Sequence, residues 1–476
     1  MTQSGTGAAG APLSIGRMLA FSATSLPLSA VVLAISIHLP AYFASSVGVP
    51  LVAVGAVFAI CRFIDIPIEP ALGLAMDRTR TRLGRYRLWT LIGGPLLILG
   101  LYMLMEAEQG VGRGYLIVWL LVMYLGMSIL ILSHAAWAST LARTYDERSR
   151  LFGVMTGAGV IGSLGVLAVP ILMSGMGKTD AEGVRAMIWY IIGLTPLCVA
   201  IVVWGTPERI APESHGQRFR LRDYAELILH PAMRRILLAD LCLVLGPGWM
   251  AALFLFFSRD RMHFTTAEAN QLLGVYIVAG LFGAPTMAWL ATRIGKHRTA
   301  MVSCLVYSAA LIALIWAPKG NVLANIPINF VTGFVGAGFV VMIRAMVADV
   351  SDDIRLTQGK ERSGLLFSLT TSTSKIAGAA GPAITYPFLA SLGYHPDLGQ
   401  ANTPEAIRGL TFAFLAGPTF FLALGAACFI GYRLTAERAA ETRRLLEERD
   451  AELEAAAAIG GGPAGEPAAP HVPRTA

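Results

Sequence analysis

Apolar runs of about 20 residues recur along nearly the whole of this 476-residue chain, and no other feature constrains its fold as much. A run of that length crosses the hydrocarbon core of a bilayer as an α-helix, because a helix rises about 1.5 Å per residue. Only 14% of the residues are charged, compared with roughly a quarter in soluble proteins. The sequence therefore predicts an all-α polytopic membrane protein.

The apolar runs divide into two groups of six, numbered spans one to twelve, with a polar segment between the groups. Their first residues lie near Met18, Leu51, Leu88, Gly114, Leu151, Val184, Ile236, Glu268, Thr299, Leu323, Ser363 and Ile407. This pattern predicts two bundles that repeat in parallel orientation. The expected boundaries are an N-terminal tail over 1–17, bundles over 18–207 and 236–434, a central loop over 208–235 and a tail over 435–476.

Lysine and arginine are concentrated in alternate loops. The loop after span two reads D-R-T-R-T-R-L-G-R-Y-R, and the loop after span eight, A-T-R-I-G-K-H-R, has the same small, basic pattern with a glycine turn. Because basic loops remain in the cytoplasm, we expect both termini on the cytoplasmic side of a bacterial-type inner membrane. Topology also accounts for the net charge of +7, so no nucleic-acid partner is expected.

Span two contains three ionisable residues, Arg62, Asp65 and Glu69, within an apolar stretch. On a helix they fall within an arc of about 60°, so one face of span two carries all three charges. Exposing a charged side chain to lipid costs several kcal/mol, so we expect this face to lie inside the bundle. The pair of carboxylates could bind a proton or a metal cation, and we expect Arg62 to contact the substrate. Alternatively, the cluster only locks span two to its neighbours.

Span eleven supplies a matching cation, Lys375, on the same helical stripe as Ser368 and Thr371. This lysine could pair with Asp65 or Glu69, or it could hydrogen-bond an anionic or hydroxylated substrate. A purely structural counter-ion is the alternative.

Span four ends with S-H-A-A-W-A-S-T-L, in which His134 and Trp137 share a helical face beside Ser133. A buried tryptophan next to a histidine could stack on a sugar ring or on another flat substrate. Such pairs also occur as ordinary packing. Two isolated charges, Asp240 in span seven and Arg344 in span ten, could line a cavity or pair within the second bundle.

The basic loops predict a gate at the cytoplasmic surface, since arginines can bridge to helix C-termini. The expected gating residues are Asp77, Arg78, Arg82 and Arg85 after span two, and Asp349 and Arg362 around the end of span ten. Beyond the last span, Ala436–Ala458 is laced with opposite charges at helical spacing, which predicts a solvated helix followed by a disordered end.

The chain resembles the glycoside–pentoside–hexuronide:cation symporter family, the melibiose-permease-like branch of the major facilitator superfamily, over roughly Ala20 to Leu434. The motifs that carry the resemblance are R-F-I-D-I-P-I-E-P-A-L-G-L-A-M-D-R-T-R-T-R-L-G-R-Y-R-L-W, M-V-A-D-V-S-D-D and E-R-S-G-L-L-F-S-L-T-T-S-T-S-K-I-A-G. The resemblance implies that Asp65 and Glu69 are the cation-site carboxylates, with Thr371 and Lys375 near that site. It also implies that Trp137 stacks on the substrate.

Departures from the family pattern bear on the coupling ion and on the substrate. Ile68 and Leu130 stand where the sodium-using permease has neutral oxygen ligands, which favours H⁺ over Na⁺. Ser133 stands where a galactoside-binding aspartate is found, and span one has no acid in the Ser25–Ser29 region. Melibiose itself is therefore not expected as the substrate.

These features imply cation-coupled symport of a glycoside, a sugar or a related small solute by a monomer surrounded by membrane lipid. The alternatives are transport of a lipid, a lysolipid or another non-sugar solute, and, more remotely, a membrane sensor or scaffold. We expect no enzyme, metal or cofactor site, because no H-E-x-x-H, P-loop or nucleophile-elbow motif occurs in a suitable loop.

Overall fold

The computed structural model describes residues 13–81, 83–142, 145–208, 227–358, 363–432, 434 and 436–459. Within these ranges the regular secondary structure is helical and contains no β-strand. The predicted all-α architecture is thereby confirmed.

The first six spans correspond to eight helices. Span one consists of α1 (Ile15–Ser22), α2 (Ser25–Leu33), a π-helical turn (Ala34–His38) and α3 (Leu39–Ser45). Spans two to six are α4 (Leu51–Arg78), α5 (Tyr86–Met105), α6 (Arg113–Leu141), α7 (Tyr145–Gly175) and α8 (Asp180–Gly205). Helix α8 begins with a capping box, in which Thr179 and Glu182 satisfy each other's backbone N–H groups.

The second group begins with α9 (Pro231–Phe256), which runs into another π-helical turn (Phe257–Arg261). It continues with α10 (Thr266–Ile294), α11 (Lys296–Ala313), α12 (Val322–Gln358), α13 (Ser363–Ser391) and α14 (Pro404–Ala427). A last helix, α15 (Ala436–Ile459), follows the twelfth span. Spans one and seven thus share a π-helical turn near the same end, as expected for repeated halves.

Ten helical segments of the described chain are long and apolar enough to cross a membrane. The two predicted spans outside this set are α11 and α13. Helix α11 has only 18 residues and begins Lys-His-Arg, while α13 is rich in serine and threonine. Both are nonetheless helices at the expected positions, so the structure is consistent with twelve spans.

The described residues form two compact units. The first takes residues within Met1–Gly216, Ala251–Gly274 and Ala379–Ala413, and the second takes those within Gln217–Met250, Val275–Gly378 and Phe414–Ala476. Four helices, α9, α10, α13 and α14, contribute residues to both units. The predicted division at residues 208–235 therefore stays a prediction from the sequence.

Within the first unit, residues from the two predicted bundles meet at the ends of the helices opposite the basic loops. The fully buried His38 Nε2 lies 2.9 Å from Asn270 Oδ1, which joins the first π-helical turn to α10. Helices α4 and α13 approach so closely that a Cβ added at Gly55 would lie 2.7 Å from the carbonyl oxygen of Pro382. These contacts close the first unit at the sparsely charged end.

Helix α15 packs against the end of α12 in the second unit. Thr442 and Leu446 on its inner face are only 2% and 5% exposed. Arg443 Nη2 donates to Asp349 Oδ1 at 2.9 Å, and Arg355 Nη2 donates to Asp450 Oδ2 at 2.9 Å. The expectation of a simply solvated helix was therefore wrong for this face, because its charges pair with α12 as well as with each other.

Replacing Asp450 by Asn should loosen the end of α15. The Arg355–Asp450 side chains are 40% and 39% exposed, and a pair at that exposure contributes about 1 kcal/mol at most. Hydrogen exchange of residues 445–459 should therefore accelerate by up to about five-fold. Glu441→Gln, which removes an exposed pair within α15 itself, serves as the control. Equal exchange in both variants would show that the charges do not dock the helix.

Candidate functional site

The acidic residues of span two meet a serine of span four in the interior of the first unit. Asp65, near the midpoint of α4, is only 2% exposed. Ser128 Oγ on α6 lies 2.8 Å from Asp65 Oδ1 and 3.3 Å from Glu69 Oε1. One hydroxyl therefore lies between two carboxyl groups, as two helices packed side by side allow.

The third charge of the cluster, Arg62, is held on the same face. Its Nη1 lies 3.8 Å from Asp65 Oδ2, and its guanidinium sits 4.6 Å from the ring centroid of Tyr124. Tyr124 and Ser128 are one turn apart on α6, just as Arg62 and Asp65 are nearly one turn apart on α4. Because the partners advance in the same direction along both helices, α4 and α6 run parallel, as expected for two even-numbered spans.

This arrangement has a definite chemistry. A serine hydroxyl carries one hydrogen, so it can donate fully to only one carboxylate. The second contact is satisfied without conflict when that carboxyl is protonated and donates to the serine oxygen. The same three groups present five oxygen atoms in all, which could also face a small metal cation. The site is therefore suited to holding a proton or an ion between two helices.

Sequence analysis missed Ser128. Leu130 suggested that span four offers no oxygen to the cation site, yet Ser128 supplies one two positions earlier. A serine in an apolar helix is more often a small packing residue, so its type alone was not informative. The available signal was its spacing, since Tyr124 and Ser128 form an i, i+4 polar pair in an otherwise apolar stretch.

The predicted site residues of span eleven belong to the second unit. Thr371 is exposed, and its hydroxyl donates to the carbonyl of Phe367 in its own helix. The Nζ atom of Lys375 is buried, and the neighbouring Ser374 donates to Asp240 Oδ2 at 3.0 Å. Asp240 thus pairs within the second unit, while the pairing of Lys375 with the acids of span two stays a prediction.

The predicted substrate-binding trio of span four is packed inside the first unit. Trp137 is 0% exposed, its ring meets Phe21 edge-on at 5.5 Å, and its Nε1 donates to the carbonyl of Pro207 at 3.4 Å. His134 stacks on Phe21 and lies 2.8 Å from that residue's carbonyl oxygen. Ser133 Oγ lies 3.1 Å from Thr90 Oγ1. These contacts leave no ring surface of Trp137 open in this structure, while the substrate role of the trio stays a prediction.

The loop after span two is held by a residue that sequence analysis did not single out. The carboxylate of Glu208 accepts hydrogen bonds from the backbone N–H groups of Arg85, Tyr86 and Arg87 at 2.6–3.0 Å. It thereby caps the N-terminus of α5, where the helix dipole favours a negative charge. Gly84 lies beside this carboxylate with a φ of 110°, a backbone conformation that residues with a side chain rarely adopt.

The predicted gating residues differ in their contacts and in whether the structure describes them. Arg85 Nε donates to the carbonyl of Met76 at 2.8 Å, so it caps the end of α4 within its own hairpin. Arg78 is the exposed last residue of α4. Arg82, Arg362 and the side chain of Asp77 lie outside the described residues. Their gating roles stay predictions.

Asp349, the predicted gating acid of span ten, is 4% exposed at the second basic loop. Both of its carboxylate oxygens accept from Lys296 Nζ, at 2.7 and 2.6 Å. Since Arg443 donates to the same carboxylate, Asp349 connects α11, α12 and α15.

The sequence of the chain matches a known protein family. Residues 20–436 match the family described as MFS/sugar transport protein. The chain belongs to this family. The melibiose-permease-like resemblance is thus confirmed, and the protein is a multi-pass membrane transporter of the major facilitator superfamily.

Individual relatives of this MFS protein agree. The chain is 23% identical to the isoprimeverose transporter of Lactiplantibacillus pentosus, covering 84% of this chain and 85% of that one. It is 23% identical to an uncharacterized symporter of Bacillus subtilis (strain 168), covering 87% and 91%. A crystal structure of a mutant of the nucleoside transporter NupG superposes with a TM-score of 0.67 at 13% identity, over 87% of this chain and 99% of that one. That last likeness shows the fold, and these proteins are transporters rather than enzymes.

Ser128→Ala should weaken coupling-ion binding. A hydrogen bond to a charged group contributes about 1.5 kcal/mol or more, so the apparent ion affinity should fall roughly ten-fold. Ser133→Ala, a buried serine on the same helix, should lower thermal stability and leave the ion dependence of transport unchanged. Transport at varied pH and Na⁺, together with melting temperatures, separates the two. A similar change of ion dependence in both variants would contradict the assignment.

Trp137→Phe tests the packing role. The substitution should cost about 2 kcal/mol of stability, because it leaves a cavity in the packed interior, while the KM for substrate stays within about two-fold. Trp204→Phe, on an 80% exposed residue, should change neither quantity. A large rise in KM with normal thermal stability would restore the stacking role.

Proposed function

We propose that this transporter couples the inward movement of a cation, H⁺ in preference to Na⁺, to uptake of a glycoside, a sugar or a related small solute. The observation that carries the proposal is Ser128 Oγ placed between the carboxyl groups of Asp65 and Glu69. The two termini lie in the cytoplasm of a bacterial-type cell in this proposal, because the basic loops lie on their side of the membrane.

The cluster favours a proton for two reasons. Protonated Glu69 can donate to Ser128, which in turn donates to ionised Asp65, so one proton completes the hydrogen-bond chain. A sodium ion would instead need several oxygen ligands, and one of the available oxygens, Asp65 Oδ2, already faces the Arg62 guanidinium at 3.8 Å. A proton needs only one carboxyl group.

Coupling follows from charge at membrane depth. With both acids ionised, Asp65 and Glu69 repel each other beside one hydroxyl; one proton removes this repulsion and favours closure around the substrate. Each proton that enters down a potential of 100 mV releases about 2.3 kcal/mol, enough for roughly fifty-fold accumulation. The buried contact between His38 and Asn270 must break for the first unit to open at its sparsely charged end.

The substrate class rests on the family and on the isoprimeverose transporter among its relatives. Because Ser133, His134 and Trp137 are packed, Arg62 and Lys375 remain the proposed substrate contacts from the sequence. Both are hydrogen-bond donors suited to hydroxyl or carboxylate oxygens, which agrees with a glycoside or a uronide.

Glu69→Gln should abolish accumulation against a gradient and retain exchange. Glutamine keeps the shape of the protonated carboxyl and cannot release a proton, so counterflow of substrate across proteoliposomes should persist. Imposed pH and Na⁺ gradients then identify the coupling ion in the unmodified protein. Glu106→Gln, on an exposed acid paired with Arg185, should accumulate substrate normally. Undiminished accumulation by Glu69→Gln would refute the proposal.

A further inference from the structure

A cavity lies in the second unit, beside the loop that joins α10 to α11. It has a volume of about 260 Å³ and is bounded by α10, α11, α12 and α15. Its walls are largely apolar, formed by Ala288, Ala291, Met342, Met346 and Ala439. It shares no residue with the cluster of α4 and α6, and the transport mechanism makes no use of it.

One end of this cavity is polar and contains an unused donor. Tyr432 lines the cavity and is only 6% exposed, yet its hydroxyl has no hydrogen-bond partner among the described residues. Burial, with Asp349 and Asp353 nearby, raises the pKa of Tyr432, so the hydroxyl keeps its hydrogen at neutral pH. A buried donor without an acceptor costs free energy, and a ligand oxygen would satisfy it.

The charges at the polar end are mixed. Lys296 uses its three donor positions on the carboxylate of Asp349 and the carbonyl of Ala345. Arg443 donates through Nη2 to Asp349 and through Nε to Asp352. With these bonds made, its Nη1 hydrogens can donate to a ligand oxygen. The end therefore offers donors from Tyr432 and Arg443, with the carboxylates of Asp349, Asp352 and Asp353 beside them.

Side chains that are typical of a membrane surface adjoin the cavity. Trp289 and Arg293 adjoin lining residues of α10, Trp289 is 57% exposed, and the Arg293 guanidinium sits 5.5 Å from its ring centroid. Exposed tryptophan with an adjacent basic residue is typical of the membrane–water interface.

We propose that this cavity binds the head-group end of a zwitterionic glycerophospholipid. The phosphodiester accepts from Tyr432 and Arg443, the ammonium group offsets the neighbouring carboxylates, and the glycerol and first acyl carbons contact the alanine and methionine walls. The lipid is a resident ligand that helps to hold α15 in place, and it is not cargo.

The proposal is tested by titrating dioctanoyl phosphatidylethanolamine into the purified full-length protein in non-ionic detergent. Binding is measured as the rise in melting temperature with lipid concentration. Dioctanoylglycerol has the same acyl chains without the phosphate and should stabilise at least ten-fold less well at equal concentration. Tyr432→Phe should weaken phospholipid binding by roughly five-fold and Arg443→Gln by roughly ten-fold. Inorganic phosphate alone should have no effect.

Arg444→Gln is the matched control, because Arg444 is 70% exposed and pairs with Glu448 on α15 itself. Its phospholipid binding should equal that of the unmodified protein. Tyr432→Phe removes a single oxygen, so it tests the site even if Arg443→Gln undocks α15. Equal binding of dioctanoylglycerol, equal stabilisation by inorganic phosphate, or unchanged binding by Tyr432→Phe would each overturn the proposal. None of these results depends on substrate transport, so they stand apart from the proposed symport.

Discussion

The burial of Asp65 in the middle of α4 is the constraint on which the first unit depends. An ionised carboxylate away from water is costly unless hydrogen bonds and a counter-charge compensate it. Ser128 provides the hydrogen bond and Arg62 the charge, while the Tyr124 ring supports the guanidinium. Meeting these needs fixes the rotation of α4 and its parallel register against α6.

Both basic loops are stabilised by acids from distant parts of the chain. Gly84 and Gly295 each adopt a positive φ, of 110° and 90°, at matching places in the two loops. Beside the first, Glu208 caps the N-terminus of α5; beside the second, Asp349 binds Lys296 at the start of α11. The repeat seen in the sequence is therefore a repeat of loop geometry, while the acid that neutralises each loop comes from a different element.

Sequence reasoning succeeded where a single helix carries the signal. Long apolar runs identify helices, and the spacing of Arg62, Asp65 and Glu69 places them on one face, because both follow from the helical period. It failed where the decisive partner is remote. Nothing in the residues around Glu208 shows that it caps a helix more than 120 residues earlier.

The environment of a side chain is the other property that the sequence does not show. Trp137 and His134 have the residue types of a substrate platform, yet Phe21 and Pro207 cover them, and only tertiary packing reveals that. Likewise, the charges of α15 resemble those of a free solvated helix, because pairing within a helix and pairing with α12 use the same residue types.

The central claim is that the carboxyl pair of α4 takes up a proton when substrate binds. Proton uptake by the purified transporter in weakly buffered solution, recorded with a pH-sensitive dye as substrate is added, tests it most directly. The account predicts uptake by the unmodified protein that is absent in Glu69→Gln and independent of Na⁺. Substrate binding without proton uptake, but with stoichiometric retention of Na⁺, would contradict it.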